Sequence, residues 1–453
     1  MVFLVAGAQK KPLDHSVYDS WQSIGERMIS NDGKWVVYSV NPQEGDNELV
    51  IQSSDAAYKK TVPRGFNAVI TEDCRFVVFK VRPFYKDTRE ARIKKKKPDE
   101  MPKDSFAVLE LGKDSVYKVA RVKTYKTPEK ASGWAAYHLE KKPDPDKSKT
   151  STGDTASKKT VDSLKRTIDS LLLVISKQPA PEKKRRNRDD DPIDPDFAVA
   201  TSGKHSPPDS YWDTIHHSDA EGDDPAIPVT PEGTDLVLKN LQTGEEKVFP
   251  FVSEYFFDKG GKKLLMEATK NSKDSLSKAA VLLFDLGSMK ADTISRGGND
   301  FKNFAFSEDG SKLAFVAERD AQPKDLYKYY KLWYYNDVLD SASMLADKNS
   351  VGMKLGMTVS EFGTVSFSKS GKRLFFGTAP IQPPKDTTLV EIDLVKLDIW
   401  HYNDDYLQTT QLNRLQRDLQ ENFLAVYDLG DNTIRQLGSK EIPTIYQTNE
   451  GDG

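Results

Sequence analysis

Read for polarity alone, the chain repeats one phrase: a polar turn, a Lys or Arg, then an apolar run. The clearest copy is Ser30-Asn31-Asp32-Gly33-Lys34-Trp35-Val36-Val37-Tyr38. Ser307-Glu308-Asp309-Gly310-Ser311-Lys312-Leu313 and Ser368-Lys369-Ser370-Gly371-Lys372-Arg373-Leu374 repeat it. Asp258-Lys259-Gly260-Gly261-Lys262-Lys263-Leu264 is looser, and Thr71-Glu72-Asp73-Cys74-Arg75-Phe76-Val77 carries Cys74 where the others have Gly. Asp-Gly supplies the positive φ of a tight two-residue hairpin turn. The leading Ser or Thr can bond back to the turn backbone. The β-branched and aromatic run that follows suits a buried strand.

A second phrase alternates with the first: an apolar strand, Asp or Asn with Leu, a short polar turn and another strand. Leu236–Phe249, Val281–Gly287 and Leu424–Ile434 show it. Two alternating hairpins make a four-stranded antiparallel unit. Units of roughly 40–60 residues stacked radially are blades of a β-propeller. The five copies start at 30, 71, 258, 307 and 368, so they are 41, 187, 49 and 61 residues apart. The long gap must hold further strands and an insertion. The expected fold class is therefore all-β: a β-propeller of four-stranded antiparallel blades, seven or eight in the complete domain and incomplete here. One insertion, part helical and part disordered, interrupts it.

The expected organisation follows. Residues 1–8, an apolar run closing on Ala6-Gly7-Ala8 before Gln9, read as the remnant of a secretory signal without its charged start. Residues 9–140 hold propeller blades; Ser20–Ile24 is an edge segment or a short helix. Residues 141–232 are a linker-like insertion rich in Lys, Pro, Asp, Ser and Thr. Within it Val161, Leu164, Ile168, Leu171, Leu172 and Ile175 recur at helical spacing, which predicts an amphipathic helix over 159–176. Blades resume over 233–453 and look truncated at the C-terminus. Asp398–Asp404 reads as a strand with a polar end, and Gln408–Gln420 as a helical or extended polar crossing.

Composition narrows the function. With 453 residues the chain exceeds one ordinary domain, but a propeller absorbs most of it. The net charge of −3 points to no polyanionic partner. The run Arg92-Ile93-Lys94-Lys95-Lys96-Lys97 could be a nucleic-acid patch. It is offset by Asp87, Glu90, Asp99 and Glu100 and lacks interleaved aromatics, so it reads as a solvated loop. The single cysteine, Cys74, excludes an internal disulfide and a multi-cysteine zinc site. It reads as a turn substitution rather than a nucleophile. No stretch is long enough to span a membrane.

The chemistry of a hydrolase is missing. There is no Gly-x-Ser-x-Gly elbow, phosphate loop, dinucleotide fingerprint or His-Glu-x-x-His. His216-His217, near Asp213 and Asp219, is a poor chelate because neighbours in an extended chain point to opposite sides. Glu245-Glu246 reads as a solvated turn, and His401 beside Trp400 as structural. No catalytic, cofactor-binding or metal-binding residue, and no cofactor, is expected.

Three segments nonetheless carry a resemblance: Ser20–Tyr38, Lys126–Leu139 and Leu397–Gln408. The chain resembles the N-terminal propeller of prolyl oligopeptidase-type (S9 family) serine peptidases, most of all large exported members from the Bacteroidetes. The resemblance covers most of 10–440 outside the insertion. It implies a hydrolase domain with a Ser-Asp-His triad beyond this chain, so no triad residue maps onto any position here. The implied role is steric: a propeller that admits peptides to that domain, in an exported, periplasmic enzyme. The implied partners are peptides and the hydrolase domain, with no nucleic acid. The alternative is a free-standing periplasmic scaffold propeller without activity.

Overall fold

The strands pair as consecutive antiparallel meanders. The computed structural model describes residues 21–141, 232–322, 325–382 and 400–452. The leader at 1–8, the helix expected over 159–176 and His216-His217 lie outside those residues. Two compact units divide the chain, Met1–Lys141 with Ala226–Gly453 and Lys142–Pro225. The blades belong to the first.

Blade I is β1 (Gln22–Ile29), β2 (Trp35–Pro42), β3 (Glu48–Ser53) and β4 (Lys59–Pro63). Blade II is β5 (Gly65–Ile70), β6 (Phe76–Val81), β7 (Ser105–Glu110) and β8 (Val116–Ala120), with helix α1 (Tyr85–Ile93) between β6 and β7. A seven-stranded sheet follows: β9 (Val122–Lys126), β10 (Trp134–Leu139), β11 (Thr234–Asn240), β12 (Glu246–Phe257), β13 (Lys263–Ala268), β14 (Ala280–Asp285) and β15 (Lys290–Arg296). It is two blades that share β12. The first half of β12 pairs with β11 and the second half with β13, making blades III and IV. Blade V is β16 (Asp300–Phe306), β17 (Lys312–Glu318), β18 (Lys331–Asn336) and β19 (Ser343–Ala346). Blade VI has an inner strand in two pieces, β20 (Met357–Val359) and β21 (Ser366–Phe367), then β22 (Arg373–Pro380), β23 (Phe423–Asp428) and β24 (Thr433–Gln436). Helix α2 (Gln408–Leu419) lies between β22 and β23.

Blades II to V each bury both faces against neighbouring blades, which explains the near-continuous apolar runs of their middle strands. In β6, Val77, Phe79 and Val81 pack with Val37, Leu49 and Ile51 of blade I, while Phe76 and Val78 pack with Tyr125, Ala135 and Tyr137 of blade III. The same alternation builds cores between III and IV, IV and V, and V and VI. Sheets stacked face to face through consecutive strands define an all-β propeller.

The turn phrase closes differently from the two-residue turn expected. In all five copies the first residue's N–H donates to the carbonyl five positions on, at 2.9–3.1 Å, so four residues form the loop. Inside it, the fourth residue's N–H donates back to the first residue's carbonyl. Only that fourth residue needs positive φ: Gly33 at 70°, Gly310 at 70° and Cys74 at 55°. The hydroxyl does the closing. Ser30 Oγ accepts the Trp35 N–H at 3.0 Å and donates to Asp32 at 2.5 Å, and Asp32 accepts the Lys34 N–H at 3.1 Å. Thr71 with Asp73 and Ser307 with Asp309 repeat the network. The Ser307 and Ser311 hydroxyls hold the Asp309 carboxyl at about 2. A sixth copy, Ser53–Tyr58 between β3 and β4, has the same bonds with Ala56 at φ 58°.

A side chain in the left-handed region costs about 1–2 kcal/mol, partly offset by the extra freedom glycine has when unfolded. Cys74→Gly is therefore expected to stabilise the protein by up to about 1 kcal/mol. Chemical denaturation of the two proteins measures it; a less stable variant contradicts the strain argument.

Candidate functional site

Antiparallel meanders put their connections on two opposite faces. The turns joining first to second and third to fourth strands lie on one, the turn face. The connections between second and third strands, and the crossings between blades, lie on the other, the loop face. All the long excursions are of the second kind. Residues 82–104 with α1, 140–233, 319–330, and 381–422 with α2 each join a second strand to a third. β10 and β11, which flank the insertion in sequence, pair from Trp134↔Asn240 to His138↔Leu236, so the chain leaves and re-enters blade III at neighbouring strand ends.

The crossings are short. One left-handed residue joins blade I to II (Arg64, φ 64°) and II to III (Arg121, φ 60°), and Phe251 (φ 59°) kinks β12 between III and IV. In each case the crossing carbonyl accepts an N–H just beyond the next second strand, from Arg82, Glu140 and Thr269. The inner strands are bulged, at Ile24/Arg27, Phe66/Val69, Val252/Glu254 and Lys302/Ala305. The bulges tie blades together. Glu26 accepts the Ala68 N–H at 3.3 Å, the Tyr125 hydroxyl donates to the Asn67 carbonyl, and Asn303 donates to the Glu361 carbonyl at 2.8 Å.

Among the described residues several hollows open on the loop face, and two of them lie beside the helices α1 and α2. One, of ≈ 490 Å³, lies between blades I and II and is lined by Phe66, Arg82, Tyr85, Arg89, Arg92 and Asp104 among others. Tyr85, Thr88, Arg89 and Arg92 share one stripe of α1, which turns it towards the hollow. The other, of ≈ 260 Å³, lies between blades V and VI beside Tyr330, Glu361, Phe362 and Leu419. Next to it Lys302 pairs with Asp300 at 3.1 Å and with Glu361, and the Tyr330 hydroxyl donates to Asp300 at 2.6 Å. Burial works against the Lys302 charge, but the bonds to Glu361 and Asp300 win and its pKa is raised.

The residues weighed from sequence fall elsewhere. Residues 85–93 form a helix, so the basic run is the end of α1 and its exit rather than a plain loop; Lys94 pairs with Glu90. Glu245 and Glu246 are both exposed, as expected, but Glu246 opens β12 and is engaged. It pairs with Lys239 at 3.0 Å and accepts the hydroxyls of Tyr117 at 2.6 Å and Tyr137 at 3.1 Å. Burial opposes its charge, yet those bonds hold its pKa below the usual range. Trp400–Asp404 is a turn, not the end of a strand, and His401 lies in it, exposed, its Nδ1 accepting the Asn403 N–H at 3.2 Å. Cys74 sits in its turn as expected. Among the described residues no group of three or more His, Cys, Asp or Glu could hold a metal, and no helix is long and apolar enough to cross a membrane.

The fold and the two hollows together define a β-propeller with one plain face and one elaborated face. No family model and no curated protein matches the sequence. Among solved structures the chain is similar to the β-propeller domain of the trilobed protease from Pyrococcus furiosus, at 9% identity and TM-score 0.33, covering 79% of each chain. It is also similar to an acylaminoacyl peptidase from Pyrococcus horikoshii, at 9% identity and TM-score 0.33, covering 94% of this chain and 47% of that one. The chain thus spans about half that peptidase's length. TolB from Acinetobacter baumannii follows at 9% identity and TM-score 0.31, covering 92% of this chain and 79% of that one. Likenesses this slight carry no argument, so the assignment rests on strand pairing and shared cores.

Proposed function

We propose that this chain is the non-catalytic, substrate-gating propeller of an exported, periplasmic serine peptidase of the prolyl oligopeptidase type. Peptide hydrolysis would fall to a hydrolase domain that covers the loop face. One observation carries the reading. The described part of the Leu397–Gln408 segment is not packed into the core but stands exposed on the loop face, with Trp400, Tyr402, Tyr406 and Leu407 open to solvent. It runs into α2, whose Leu412, Leu415 and Leu419 are also exposed. Apolar groups gathered in this way suit a covering domain.

The gene is expected to continue past Gly453 into a Gly-x-Ser-x-Gly domain, and the mature protein to begin at Gln9. When the two parts are produced as separate chains, Leu412→Glu with Leu415→Glu is expected to weaken their association. A native product that ends at Gly453 and escapes serine-directed probes overturns the reading in favour of a free-standing scaffold.

A further inference from the structure

The hollow between blades I and II has an unusual charge arrangement. Arg82, Arg89 and Arg92 line it, and among the described residues none of the three forms an ion pair. Two acids share the wall: Asp46 accepts the Tyr85 N–H at 2.8 Å, and Asp104 is neutralised by Lys80 at 2.7 Å. Glu44, nearby, accepts the Tyr85 hydroxyl at 2.7 Å. The Arg82 guanidinium is held over the Phe66 ring, 4.3 Å from its centroid, with Nη1 donating to Asn47 at 3.5 Å. The connection that builds this wall, residues 82–104, has nine cationic side chains against five acidic ones, a surplus of four in a chain of net charge −3.

We propose that this hollow binds a carboxylate of an acidic peptide. Guanidinium forks match the planar, two-oxygen geometry of a carboxylate. The local surplus of positive charge draws anions to the loop face. The rest of the wall, Phe66, Pro83, Tyr85 and Pro102, offers apolar surface for a neighbouring side chain. A volume of ≈ 490 Å³ suits a short peptide better than a bare ion. The proposal goes beyond gating and does not depend on it, because the binding is read on this chain without any peptidase activity.

The test is calorimetric titration of the full chain with four probes. Acetyl-Phe-Glu-amide carries a side-chain carboxylate and acetyl-Phe-Gln a terminal one; acetyl-Phe-Gln-amide is neutral, and inorganic phosphate is the bare anion. At least one charged peptide is expected to bind about tenfold or more tightly than the neutral one, and which one does so identifies the source of the carboxylate. Arg89→Gln with Arg92→Gln, both at exposed positions, is expected to weaken that binding about tenfold or more without shifting thermal unfolding. Equal binding of the neutral peptide, phosphate binding as tight as the peptide's, unchanged binding by the double variant, or tighter binding of a short oligothymidine each overturns the proposal.

Discussion

Phe106→Ala is expected to destabilise the propeller by about 3–5 kcal/mol, the usual range for deleting a buried aromatic ring. Phe106 is fully buried between blades II and III. Its ring stacks on Tyr137 with centroids 4.6 Å apart and lies tilted against Tyr125 at 5.5 Å. Tyr125 is itself fixed, its hydroxyl donating to the Val78 carbonyl at 3.1 Å as well as to Asn67. Removing Phe106 therefore empties a space whose walls are pinned by hydrogen bonds and cannot close inwards. The loss should be local at first, because each blade shares a core only with its neighbours. Hydrogen exchange is expected to accelerate in β6, β7, β9 and β10 before it does in blade VI. Leu276→Ala, at an exposed position, is the control and should change stability by less than about 0.5 kcal/mol. A Phe106 variant as stable as that control would show that the II–III core is not a structural seam.

The repeat was legible because its chemistry is local. A hydroxyl, an Asp two residues on and a left-handed fourth residue close a loop inside six positions, so the phrase can be read without the fold. It was legible in the wrong detail, however. Glycine looked like the signature, so Ser53–Tyr58, with Ala56 in the fourth place, passed unseen. The closing bonds belong to Ser53 and Asp55. Blade III was obscured for a related reason: between β9 and β10 it has Thr127-Pro128-Glu129-Lys130 and a late Gly133 instead of the phrase. The 187-residue gap held that blade's strands as well as the insertion.

The hollow could not be read at all as a site. Its wall joins residues near 45, 66 and 82–104, which meet only because the crossing at Arg64 sets blade II against blade I. The spacing of Tyr85, Thr88, Arg89 and Arg92 is that of a helical stripe, but the lysine run after it reads as part of a solvated loop, which hides the helix. The bulges left a fainter trace. Asn67 and Asn303 both adopt positive φ, at 48° and 57°, a conformation asparagine tolerates better than most residues.

Glu267→Gln is expected to make the protein more stable at alkaline pH and to leave it unchanged in acid. Glu267 lies on β13 with 4% of its surface exposed, on the side that Leu265 turns towards blade V. Burial pushes its carboxyl up to about 7; the Ser253 hydroxyl works against the shift, and the charges of Glu254 and Asp300 add to it. In the unfolded chain the same group titrates near 4.5. Between those two values the folded protein holds a proton that the unfolded chain has released, so stability falls as pH rises through the window. Below about 4.5 the group is neutral in both states and costs nothing. Above about 7 it is charged in both, and the folded state bears the full penalty, about 3 kcal/mol for a shift of this size. Glutamine keeps the shape and cannot ionise, so the variant should gain about that much at pH 8 and nothing at pH 4.5. Denaturant unfolding of both proteins across this range measures the difference. A constant offset between the two curves would mean that Glu267 stays ionised in its pocket, and that the side chain reaches water or a cation between blades IV and V.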